Sequence, residues 1–213
     1  MKTVLSLAAC LALLTSLSAV SGCARAPGRV SLRPDWPAQP DSYKRAYRDW
    51  TRHGLVRSHY QEVLKVYATF KSPAFRAAYA ARKAQDASLS ATEAESLEAA
   101  ERAAAAGPYE VQLLVTTWDY RENDLHKGKN SSWRVALTDD RGNEVLAESI
   151  VRDRRPRQML RSEYPDLADF AIVYVARFPR TVELLRADAT RISLKLSSPR
   201  GAVTLIWRAA RSE

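Results

Sequence analysis

Gly107-Pro108 divides the chain into two kinds of pattern, and no other feature constrains the fold as much. Before it, apolar residues recur every three or four positions; after it, they alternate. Proline stops a helix because it lacks an amide proton and clashes with the preceding turn, and a glycine before it suits a left-handed cap. The helix ending here opens at Ser90-Ala91-Thr92-Glu93, the S-x-x-E form of a capping box. It has one large apolar residue, Leu97, so its packing face is alanine and close approach to another helix is expected. Ser72-Pro73 reads as an N-cap with proline in the first turn of a helix that buries Phe75 and Tyr79. Tyr43, Tyr47 and Trp50 follow i, i+4, i+7 spacing. Val56, Tyr60, Val63, Tyr67 and Phe70 then repeat by four and three, which predicts a stripe along one helix. Residues 41–107 are therefore expected to be helical.

Past Pro108 the period is two. Tyr109, Val111, Leu113 and Val115 alternate with other residues, as do Trp133, Val135 and Leu137, and Asp139 to Asn143 reads as a turn. Val145 to Val151 predicts a third strand. A fourth has Phe170, Ile172, Tyr174, Ala176 and Phe178 on one side and Ala171, Val173 and Val175 on the other. A strand apolar on both faces belongs inside a packed structure. Ile192, Leu194 and Leu196 face Val203, Leu205 and Trp207 across Ser198-Pro199-Arg200-Gly201, a hairpin. Six such strands predict an antiparallel β-sandwich over 108–213. The expected class is α+β, with an N-terminal helical segment packed with or beside that C-terminal sandwich. With 213 residues and 46% hydrophobic content the chain can bury a real core, and its composition is neither collagen-like nor that of a disordered chain. Both cysteines, Cys10 and Cys23, lie in the first 23 residues, so no disulfide staples the rest.

The N-terminus has its own logic. Met1-Lys2 is a short positive region, and Val4 to Leu17 is an apolar run of signal-peptide length. It is shorter than the roughly 20 residues a membrane span needs. Val20-Ser21-Gly22-Cys23 resembles the lipobox of bacterial lipoprotein signal peptides. That resemblance implies a signal peptide over 1–22, cleavage after Gly22, and diacylglyceryl and N-acyl groups on Cys23. It implies no other cofactor. Cys10 would leave with the signal. No aspartate follows the cysteine, which points to the outer membrane, facing the periplasm. Residues 23–40 carry four prolines and one glycine and are expected to form a lipidated tether. Arg25, Arg29 and Arg33 suit either anionic head groups or a solvated linker. Lipidated cysteine, tether, helices and β domain together resemble the layout of envelope lipoproteins.

No catalytic signature stands out. His53 and His59 are six apart and cannot share a zinc ion from one helical face, and His126 has no cysteine to join it, so no metal site is expected. Gly128-Lys129-Asn130 lacks the rest of a phosphate loop. Asp119, Glu122 and Asp124 share one loop, but Asp139 and Asp140 lie at the other end of the intervening strand and read as turn chemistry. The conspicuous cluster is Arg152, Arg154, Arg155, Arg157 and Arg161, expected in a loop because of Pro156 and the charge density. It is either a solvated connector or a contact for an anionic envelope component, since arginine forks match phosphates and carboxylates. The resulting expectation is an interaction or accessory module of the cell envelope. It is held to the membrane by lipid, touches an envelope protein or an anionic lipid or glycan, and binds no nucleic acid. An envelope hydrolase and a periplasmic lipid- or small-ligand-binding module are the alternatives.

Overall fold

The computed structural model describes residues 28–210; the expected signal peptide over 1–22, the expected cleavage after Gly22 and the expected lipid site Cys23 lie outside the described residues. The chain forms α1 (Tyr43–Trp50), β1 (Thr51–Ser58), β2 (Gln61–Phe70), α2 (Pro73–Asp86), α3 (Ala91–Ala106) and β3 (Tyr109–Thr117). It continues through short 3-10 turns at Tyr120–Glu122 and Leu125–Asn130 into β4 (Arg134–Asp139), β5 (Glu144–Leu146), β6 (Ser149–Arg152), α4 (Arg157–Glu163), β7 (Ile172–Phe178), β8 (Arg191–Ser198) and β9 (Gly201–Arg208). The class is α+β with two antiparallel sheets, ordered β1-β2-β3-β7-β6 and β5-β4-β8-β9.

Several local signals act as read. Ser90 and Glu93 form the reciprocal capping box, and Ser72 caps α2 with Pro73 in its first turn. The β8–β9 hairpin pairs Ile192 with Trp207, Leu194 with Leu205 and Leu196 with Val203. β7 is internal to its sheet, pairing with β3 and β6, as its two apolar faces require. Leu113 lies opposite Tyr174, and the inward residues of both sheets belong to one buried cluster.

Four expectations need correction. Residues 51–70 are not helical: the stripe Val56, Tyr60, Val63, Tyr67 and Phe70 falls on the β1–β2 hairpin. Leu64, Val66, Ala68 and Phe70 alternate into the core, and the turn uses His59 and Tyr60 at φ 48° and 67°. Such a turn usually announces itself with Asn or Gly, and here neither is present. Secondly, Val145 to Val151 is two strands in different sheets. Ala147 N donates to Val135 O in one sheet, while Glu148 N donates to Arg177 O in the other, so the chain turns a corner between them. Thirdly, the segment from Gly28 is not a loose tether. Val30 and Leu32 are buried, and Val30 exchanges backbone hydrogen bonds with Arg208 and Ala210 beside the end of β9. Finally, Gly107 has φ −77°, so Pro108 ends α3 without a left-handed cap. α3 lies against α2 as expected, yet none of its residues is buried.

Helices pack over part of the outer face of the first sheet, while Leu55 on β1 stays exposed. Tyr43 packs its ring on Phe75 and Tyr79 (centroids 5.7 and 6.4 Å apart), and Tyr47 packs on Tyr164 at 6.2 Å. On the inner face Phe70 meets Trp50 and Trp207, joining the two sheets. Their edges also meet at β1 and β9, where Arg52 Nε donates to Ile206 O at 2.8 Å. Gly54 permits this approach, because a Cβ there would lie 2.4 Å from Val203 Cγ2 and 2.8 Å from Leu205 Cδ2. Gly54→Ala is expected to destabilise the fold by about 1–3 kcal/mol through overpacking. Chemical denaturation would check this as a lower midpoint with unchanged slope.

Candidate functional site

Between α2, α4 and the outer face of the first sheet lies a cleft of about 310 Å³. Its floor is Val151, Val175 and Arg177; Phe75 and Tyr79 of α2 form one wall, and Arg152 to Arg155 with Tyr164 form the other. Six basic and four acidic side chains line it. The acids are organised around two hubs.

Glu110 on β3 accepts hydrogen bonds from Arg76 at 2.7 Å and Arg177 at 2.8 Å, with Lys71 Nζ 3.6 Å away. Burial pushes its carboxyl pKa up, but Lys71, Arg177 and Arg76 together overcome this and hold it at about 2. Arg76 is itself buried and also binds Glu101 at 2.6 Å. Both carboxylate oxygens of Glu163, at the end of α4, accept from Arg155 Nη1 (2.8 and 2.9 Å), and Oε1 also accepts from Lys83 at 3.2 Å and the Tyr79 hydroxyl at 3.3 Å. Burial, reinforced by Glu163, pushes Tyr79 up to about 12. Asp153 binds Arg155 at 2.7 Å; burial opposes its ionisation, but Arg155 holds its pKa below the usual range.

Chemically, Glu110 and Asp153 are held ionised at neutral pH. A general acid needs the opposite shift, towards the working pH. The lining carries more basic than acidic side chains. Lys71 Nζ has no hydrogen-bond acceptor among the described residues, and burial, partly offset by Glu110, lowers its pKa.

The arginine cluster divides. Arg155 is held by Asp153 and Glu163, Arg161 pairs with Asp169, and Arg157 donates to the carbonyls of Ala168, Asp169 and Ala171. Arg157 and Arg161 lie on α4, not in the loop expected there. Their role is to brace α4 and the turn before β7. Arg152 and Arg154 remain exposed at the cleft rim, and neither forms an ion pair among the described residues. Lys71, Arg76, Glu110 and Glu163 carry no sequence signal as a group. Each is an ordinary charge until the sheet and α2 bring them together.

The histidines are dispersed: His53 packs beside Tyr67 (5.6 Å), His59 sits in the β1–β2 turn, and His126 stacks on Tyr174 (6.1 Å). Among the described residues no group of three or more His, Cys, Asp or Glu is placed to hold a metal. Asp139 accepts from the amides of Arg141 and Asn143, which is turn chemistry, while Glu122 binds Arg200 and Asp124 accepts from Ser131 and Ser132. A larger cleft, about 890 Å³, opens between the Leu125–Trp133 loop and the β5–β6 corner, with Trp133, Val135 and Ile150 in its walls. Compared with known protein families, with characterised proteins and with solved structures, the chain matches none.

Proposed function

We propose that this chain is a lipid-anchored interaction module of a bacterial cell envelope, with the basic cleft and its Arg152/Arg154 rim receiving an anionic group of an envelope component. The observation that carries this reading is the charge balance of the cleft. Its carboxylates are already engaged by basic neighbours, Lys71 among them as a 3.6 Å ion pair to Glu110, yet Arg152 and Arg154 are left without acid partners among the described residues. Buried or clustered positive charge is costly unless compensated, so an incoming carboxylate or phosphate would be favoured there. The lipobox resemblance of Val20 to Cys23 supplies the location: lipid on Cys23, the outer membrane, facing the periplasm. The partner is an envelope protein or an anionic lipid or glycan.

A photo-reactive residue in place of Gln158, exposed on α4 beside the rim, tests this in the native host. The wild-type chain should yield a reproducible envelope adduct. Arg152→Gln combined with Arg154→Gln should reduce it roughly tenfold, as loss of complementary charge does elsewhere, and Cys23→Ser should reduce it by detaching the chain. An unchanged adduct in the double variant would overturn the reading. The alternative of a small-ligand module draws on the larger cleft at the β5–β6 corner; native mass spectrometry of the purified chain, showing a co-purified ligand, would favour it.

A further inference from the structure

Four large aromatic side chains are exposed at one end of the first sheet, far from any role in the core: Tyr60, Trp118, Tyr120 and Phe170, between 69% and 107% exposed. Strand register places them together. Tyr60 is in the β1–β2 turn; Trp118 N donates to Val63 O at 3.2 Å, three residues along from it, and Tyr120 follows in the next turn. The offset that pairs Val115 with Ile172 sets Phe170 level with Thr117. Three separate turns therefore present four rings at the same end.

The charges around them leave a small positive excess. Glu62 pairs with Arg57 and Glu122 with Arg200, and Asp119 accepts from the Arg121 backbone amide but keeps its charge. Lys65, 5.3 Å over the Tyr67 ring, and Arg121, 5.9 Å over Tyr120, have no carboxylate partner among the described residues. Exposed apolar groups gathered at one place mark an interaction site. Tyr and Trp combine an apolar body with a polar tip and suit the membrane–water boundary, where basic neighbours add attraction to anionic head groups.

We infer that this end is a membrane-contacting tip, inserting its rings into the interfacial region of a bilayer that carries anionic lipid. The shape favours a bilayer over a protein groove: the Tyr60 ring stands clear of the chain, and the rings project from three separate turns at one end. The tip does not depend on the basic cleft. It is also compatible with lipid on Cys23. The seven residues from Cys23 to Val30 reach up to about 24 Å, close to the length of an eight-residue strand, about 26 Å. A chain lying on its side then brings lipid and rings to one surface.

The test uses residues 24–213, which contain all of the described fold and lack Cys23. Co-sedimentation is measured with phosphatidylcholine vesicles and with vesicles containing phosphatidylglycerol. Binding is expected to the second kind, falling roughly tenfold or more when all four rings are replaced by serine, since such binding scales with the apolar area inserted. The four-serine variant should keep the wild-type unfolding midpoint, because none of the rings is buried. Trp118 emission should shift to the blue on binding, and Trp118→Phe should abolish the shift. Equal binding by the four-serine variant, no binding to either vesicle, or unchanged emission would overturn the proposal. So would co-sedimentation of the rings with isolated envelope glycan in place of vesicles.

Discussion

Trp207→Ala is expected to cost at least about 4 kcal/mol, a large share of the 5–15 kcal/mol typical of a folded domain. Trp207 is fully buried, packs tilted against Phe70 at 5.7 Å across the two sheets, and lies 5.9 Å beneath the Arg52 guanidinium. Its Nε1 donates to Trp50 O at 2.8 Å, so alanine leaves both a cavity and an unpaired buried carbonyl. Equilibrium denaturation would show a sharply lower midpoint. Trp207→Phe separates the two contributions: it keeps most of the ring and loses only the donor, at a cost of about 1–2 kcal/mol. A loss below about 1 kcal/mol for the alanine variant would mean that Trp207 does not join the sheets.

Glu110→Gln is expected to destabilise by about 2–3 kcal/mol at neutral pH, because Lys71 and Arg177 lose their carboxylate and buried Arg76 keeps only Glu101. The pH dependence gives a sharper readout. In the unfolded chain Glu110 titrates near 4.5, in the folded chain at about 2. Its folded pKa is depressed, so its contribution is fully present above the unfolded pKa and is lost as pH falls from about 4.5 to 2. Over that window the unfolded state binds the extra proton, and the loss amounts to about 3 kcal/mol. The wild-type chain should therefore lose stability steeply in that range, while Glu110→Gln starts lower and follows a flatter acid limb. Asp153, also depressed, adds to the slope in both chains. Parallel acid limbs would show that Glu110 is not the hub described.

These two residues mark how far the sequence could be read. Trp207 was legible: the alternation Val203, Leu205, Trp207 against Ile192, Leu194, Leu196 specifies which faces turn inward, and the observed register agrees. Glu110 was not. Nothing within a few residues of it distinguishes it from any other strand-flanking glutamate; its partners come from α2 and β7. The arginine cluster was visible as a cluster, but its division was not. Arg155 turns inward because Glu163 is there to meet it, whereas Arg152 and Arg154 meet no acid. The exposed rings are less legible: helical spacing puts Tyr60 in a stripe with Val56 and Val63, and alternation puts Phe170 on the face of a strand, whereas both sit in turns.

By itself the sequence determined what short-range sterics and hydrogen bonding decide. Ser72 and Ser90 cap helices, Pro108 ends one, Asp139 closes a turn, and alternating apolar residues make strands. The tertiary structure decided what depends on long-range pairing. Residues 51–70 became strands because β3 offers them an edge to pair with, and residues 145–151 split because two sheets compete for consecutive amides. The cleft and the aromatic end likewise exist only once register sets which distant side chains share a face. Local propensities are worth tenths of a kcal/mol per residue, and buried pairing and packing outweigh them wherever the two disagree.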